Sequence, residues 1–315
     1  MSSLELKVNY TRAAEISVAL VKMLHEKVHP FNQENLFPDA IVPEKVAPGS
    51  LEHSQFIFYG CSLDSMMVAD LVYSGMRGIS QDVGVSRLWE LDKDQIEEVL
   101  EKNFRDPKHV EKKSQRLLFN LGGKKKENRP YNDASKTIRT NSKLLHEKYE
   151  DDPRKLISEK GNEQERIAQT LNNIQEFWQY GIGKASLLMK NYVRFGIWDF
   201  DPTKIPIKVD RWALRISVGS GVIELPKELT EVRTDKILRP LLRVYSEVCQ
   251  RERISAIDLN DAIWAFGSKI CKSKNRSYCN MYCPAKCKIR PKSDNRAMIF
   301  YLDKETRKDH PGSLF

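Results

Sequence analysis

Four cysteines near the end of the chain, Cys271, Cys279, Cys283 and Cys287, follow the pattern C-x7-C-x3-C-x3-C. Thiolates this close in sequence can converge on one centre, and four of them hold either zinc or an iron–sulfur cluster. Two x3 intervals fit poorly with the C-x2-C knuckles of zinc ribbons. A compact run of thiolates beside a proline suits a [4Fe–4S] cluster better, with zinc as the alternative. The same segment holds the charge. The chain carries a net charge of +9, and between Lys269 and Arg296 nine basic residues face one acid, Asp294. Lys272, Lys274, Arg276, Lys286 and Lys288 are therefore candidate contacts to a polyanion. Without the cysteines, such a run reads as a solvated face.

A second constellation lies upstream. Between two helical stripes, Ile167, Leu171, Ile174, Trp178 and then Ala185, Leu188, Met189, Tyr192, there is only Gln179-Tyr180-Gly181-Ile182-Gly183-Lys184. So short a turn calls for residues that tolerate unusual backbone angles, and Gly181 and Gly183 supply them. They also bare the N–H groups at the start of the second helix, where the helix dipole and Lys184 favour an anion such as a phosphate. A third feature is Asp210, a carboxylate opening the helix RWALRISV. Alone it reads as an N-cap.

The elements that must position these groups are helical. With 315 residues, 40% apolar and 30% charged, the chain can bury a substantial core, and collagen-like, disordered and disulfide-framework classes are excluded. Cys61 and Cys249 sit in apolar surroundings and read as buried thiols. There is no run of about 18 apolar residues, and the opening lacks the order of a secretory signal; an intracellular protein (cytoplasm or nucleoid, nucleus in a eukaryote) with no membrane partner is expected. Periodicity predicts helices over 11–28 (capped by Thr11), 93–102, 107–120, 135–149, 163–178, 236–251 and 259–269, with Asp64 capping another. The Lys124–Lys126 stretch reads as a solvated basic loop. No strand-like alternation recurs, so the fold class is all-α.

YGIGKASLL, then IPIKVDRWALR, then AIWAFGSKIC ahead of three further cysteines, resembles the helix-hairpin-helix DNA glycosylase superfamily, in its iron–sulfur branch of endonuclease III and the adenine glycosylases. There the hairpin reads roughly LPGVGRxTA, the catalytic loop VDxxxxR and the cluster G-x3-C-x6-C-x2-C-x5-C. Gly181, Ile182 and Gly183 match the hairpin, Val209, Asp210 and Arg215 the loop, and Gly267 with Cys271 the cluster entry; the remaining cysteine intervals differ. The resemblance implies two helical domains: an N-terminal helix and connector (1–50) packing with the C-terminal domain, a helical barrel with the hairpin (51–196), a catalytic and cluster domain (197–291), and a tail (292–315). It implies a monomer that flips a damaged, mismatched or modified base out of double-stranded DNA and hydrolyses its N-glycosidic bond, with Asp210 as the catalytic carboxylate, Gly181, Ile182, Gly183 and Lys184 on the backbone, and a [4Fe–4S] cluster on the four cysteines. Bifunctional members carry a lysine two positions after the second hairpin glycine. That position is Ala185 here, which implies a monofunctional enzyme; Lys184 is catalytic only in an alternative bifunctional glycosylase/lyase. A non-catalytic lesion-binding module is the other alternative. Leu63 is a candidate wedge, Tyr59, Trp178 and Tyr180 candidate stacking residues, and Trp212 a candidate pocket wall.

Overall fold

The computed structural model describes residues 6–64, 69–104, 134–226, 231–271, 283–287, 292–293 and 299–301. The expected helix at 107–120 and the basic loop at Lys124–Lys126 lie outside them. What is described is mostly helical, and it falls into two compact units, Met1–Leu36 with Asp201–Phe315, and Phe37–Phe200.

The first unit begins with β1 (Lys7–Val8) and α1 (Tyr10–His25), capped by Asn9, whose side chain accepts from the Arg12 N–H, and not by Thr11. Ala13, Ile16, Leu20 and Val21 make the buried stripe of α1. It packs on α9 (Thr234–Glu252) and α10 (Ala256–Ala265). Between them runs α8 (Arg211–Ser220), joined to α9 by a 2.7 Å hydrogen bond between Ser217 Oγ and Tyr245 Oη. Beyond α10 the helix widens into a π-helical segment, Phe266–Cys271.

Short strands, absent from the sequence expectation, complete this unit. β1 pairs antiparallel with β2 (Ile223–Glu224), Lys7 opposite Glu224. β3 (Glu231–Arg233), β4 (Lys292–Ser293) and β5 (Ile299–Tyr301) form an antiparallel sheet in the order β3-β5-β4. Each has two or three residues, too few for alternation to register.

The second unit is built around α2 (Leu51–Leu63), in which every residue from His53 to Leu63 is buried. α3 (Ala69–Asp82), α5 (Ala134–Tyr149) and α7 (Ile182–Arg194) pack against it, and α4 (Lys93–Asn103) and α6 (Glu163–Gln175) complete the set. Polar contacts help lock α2: Tyr192 Oη donates to the Ser54 carbonyl at 2.7 Å, Gln55 Nε2 to the Asp151 carbonyl at 2.8 Å, and Tyr59 Oη meets Ser142 Oγ at 2.9 Å. Asp64, expected to start a helix, closes α2 as its C-cap.

The connector does not divide at residue 50. Asp39, in a 3-10 turn at Pro38–Ala40, pairs with Lys190 of α7 at 2.6 Å and Arg194 at 3.7 Å, tying the stretch after Leu36 to the second unit. Burial works to raise the Asp39 carboxyl, but Lys190 and Arg194 overcome it and hold the carboxyl far below the ordinary range.

Candidate active site

Asp210 is the N-cap of α8. Its Oδ1 accepts from the backbone N–H groups of Trp212 at 2.8 Å and Ala213 at 3.1 Å. These bonds fix the carboxylate's position and satisfy two donors of the first turn. Oδ2 has no hydrogen-bond partner among the described residues. Burial raises the Asp210 pKa above the usual carboxylate value, against the pull of Lys208, the two N–H groups and Arg211. The arrangement is a rigid anion with one oxygen committed to the fold and the other available to a developing positive charge.

Just after Asp210 in the chain, Trp212 is buried with two guanidiniums near its ring. Arg211 lies 4.8 Å and Arg215 5.3 Å from its ring centroid. Trp212 is thus a packing residue of this unit. Burial, with the adjacent Arg211, pulls the Arg215 pKa down to about 10, while Cys271 and Asp210 act in the opposite direction. Arg215 therefore feels both the carboxylate and the first cysteine. Gly267 explains the approach of the π-helical segment to α8: a Cβ there would stand 2.5 Å from Trp212 Cβ and 2.8 Å from its Cγ. The glycine that opens the cysteine pattern is a packing requirement.

Of the four metal-ligand candidates, Cys271 ends the π-helical segment, Cys283 is buried and Cys287 half-buried; Cys279 lies outside the described residues. The turn Cys283–Cys287 is held by α1. The Arg12 guanidinium donates to the carbonyls of Pro284 and Ala285 and, through Nε at 3.5 Å, to that of Ser220. Lys286 stands on this turn with φ of 41°, a left-handed backbone. Cysteine thiolates are the right donors for an iron–sulfur cluster or zinc. Among the described residues, however, no three of His, Cys, Asp and Glu come together closely enough to hold a metal ion. Lys272, Lys274, Arg276 and Lys288 lie outside the described residues. The two remaining cysteines, Cys61 and Cys249, are fully buried, and burial pushes the Cys249 thiol up to about 12.

In the second unit, Gly181 is the N-cap of α7, with φ −87° and ψ 177°. The left-handed residue of the turn is Gln179, at φ 68°, so neither glycine serves the backbone angle expected of it. A Cβ on Gly181 or Gly183 would meet nothing within 4 Å. These glycines answer to no packing neighbour in their own unit. They leave the N–H groups of Ile182 and Gly183 under open space at a helix N-terminus, which suits a phosphate oxygen. Lys184 does not extend from this turn alone, since its Nζ donates to the Ser62 carbonyl near the end of α2. There it also meets the negative end of that helix.

Leu63 and Tyr59 are buried, and Tyr180 is buried with its hydroxyl on the Phe58 carbonyl. Trp178 is the one exposed member of the stacking set, at 43%. Three further features of the second unit escaped the sequence reading: the Asp39–Lys190 pair, the exposed Trp89, and Asn141. The Asn141 side chain grips the Trp178 backbone through both N–H (2.8 Å) and carbonyl (3.1 Å). Each rests on contacts far apart in sequence, which no local pattern displays. No helix of the described residues is long and apolar enough to cross a membrane. The chain matches no protein-family model and no curated protein.

Proposed function

We propose that the chain is a monofunctional DNA N-glycosylase of the helix-hairpin-helix type, releasing a damaged, mismatched or modified base from duplex DNA. The observation that carries this reading is Asp210: a carboxylate fixed by two backbone N–H groups, partly desolvated, with its second oxygen uncommitted.

A base within a duplex is out of reach, so its nucleotide must first be rotated out of the stack, at a cost of a few kcal/mol. Cleavage of the N-glycosidic bond then leaves positive charge on the sugar, as in other glycosyl transfers with oxocarbenium-like transition states. A preorganised carboxylate stabilises that charge as it forms and orients the attacking water. Asp210 has the geometry for both tasks because its cap bonds prevent it from swinging away. The turn at Gly181–Gly183 supplies the phosphate seat that sets register without reading sequence. Lys184, its Nζ donating to the Ser62 carbonyl, is engaged by the fold, which supports hydrolysis by water over Schiff-base formation. A [4Fe–4S] cluster on Cys271, Cys279, Cys283 and Cys287 would act here as a structural staple for the basic segment around it.

The test is incubation with a panel of duplexes carrying oxidised, deaminated, alkylated and mismatched bases, with mass spectrometry of released free base. Release from at least one duplex, lost in Asp210→Asn, is expected. No release from any would leave a DNA-binding module.

A further inference from the structure

Four large apolar residues are exposed among the described residues, and two of them, Trp178 at 43% and Trp89 at 44%, stand at opposite ends of α5. Lys136 Nζ lies 4.3 Å from the ring centroid of Trp178, near the start of the helix. Near its end, His146 stacks flat on Trp89, with centroids 4.4 Å apart and planes at 9°. Between these two residues, Arg139 and Lys143 complete a series at i, i+3, i+7 and i+10, and all four are exposed. Residues so spaced share one helix face. Ten residues of helix rise roughly 15 Å, so the two rings bracket a line of basic side chains.

Carboxylates meet the far end of this line, where Glu147 is 3.7 Å from Lys143 and Asp151 2.8 Å from His146. Midway, the exposed Arg139 makes no ion pair among the described residues, and at the near end Lys136 lies over Trp178. That ring is also the more rigidly placed, because the fully buried Asn141 holds the Trp178 backbone on both its donor and its acceptor.

We propose that this face of α5 binds an unpaired nucleic-acid strand, with Trp178 and Trp89 as stacking platforms and Lys136, Arg139 and Lys143 on the intervening phosphates. Cations that follow a backbone and flat aromatic rings that receive bases are the combination such strands require. An acidic peptide would use the cations and leave the rings idle. Asp210, Gly181, Gly183 and the cysteines take no part, so this site and base excision stand or fall separately.

The experiment is fluorescence anisotropy with a labelled oligothymidylate, using the full chain. Trp178→Ala and Trp89→Ala should each weaken binding about tenfold, while Trp178→Phe and Trp89→Phe, which keep a flat ring, stay within about threefold. Joint Lys136→Ala and Arg139→Ala substitution should reduce the slope of log affinity against log salt by about 1.4. Helix content by circular dichroism checks that each variant is folded. Wild-type affinity in the Trp178→Ala, Trp89→Ala double variant would overturn the proposal, as would polyglutamate competing as well as the oligonucleotide.

Discussion

The backbone of Gly267 approaches Trp212 so closely that a single added Cβ would lie 2.5 Å from the Trp212 Cβ. Neither side can yield cheaply, because the neighbour is the root of a buried side chain and Gly267 lies in the π-helical segment. Gly267→Ala should therefore cost about 1–3 kcal/mol, the usual penalty for overpacking. A lower urea midpoint with unchanged slope is the expected readout.

Asp210→Asn separates the observed cap from the proposed catalytic duty of that residue. Asparagine is as good an N-cap as aspartate, so the melting temperature should stay within a degree or two. The charge is gone, so base release should fall at least about a hundredfold. The pH profile of the wild type carries the same signature. The proposed chemistry needs the ionised form, and burial raises the Asp210 pKa, so the acidic limb should lie above the ordinary carboxylate value of 3.8 and the rate should fall as pH drops through it.

His53 links stability to pH in the second unit. It is fully buried, its Nδ1 accepts from the Gly49 N–H at 3.0 Å, and burial lowers its pKa from 6.5 to about 4. Between those values the unfolded chain binds the proton and the folded one does not. The contribution of neutral His53 is complete above pH 6.5 and declines as pH falls towards 4, by about 1.4 kcal/mol per pH unit and roughly 3 kcal/mol in all. Chemical denaturation across this window should show that slope, and His53→Asn should flatten it.

Arg12 reaches the turn that carries Cys283 and Cys287 from more than 270 residues away in sequence. Arg12→Ala removes charge-assisted bonds to backbone carbonyls, worth about 1.5–3 kcal/mol where they hold a charged donor. Amide exchange at Ala285–Cys287 should accelerate about tenfold or more while α2 is unaffected. Unchanged exchange would show that the turn is held by other contacts.

Much of the helical scaffold was legible because its signals are local. Asp92 with Gln95 and Asn162 with Glu165 form reciprocal capping boxes at the starts of α4 and α6, three residues apart as the sequence displays them. Gly196 follows α7 with φ of 64°, the left-handed glycine that commonly ends a helix. Asp210 was legible as a cap for the same reason. Long-range contacts were not. The β1–β2 pair joins Val8 to Ile223, and the ion pair of Asp39 with Lys190 spans 151 residues. α2 also concealed its role, since a helix buried on all sides shows no polar face from which to infer its neighbours.

The left-handed turn residue before α7 is Gln179, and that bears on how the glycines after it can be altered. Gly183→Ala should leave folding intact or improve it by up to about 1 kcal/mol through helix propensity, while weakening duplex affinity about tenfold as a methyl group intrudes on the phosphate seat. Thermal melts and DNA titrations of this one variant should move in opposite directions. Fold and grip would then be independent quantities in this segment: a screen for thermostable variants would accept alanine at position 183 and silently discard the DNA contact.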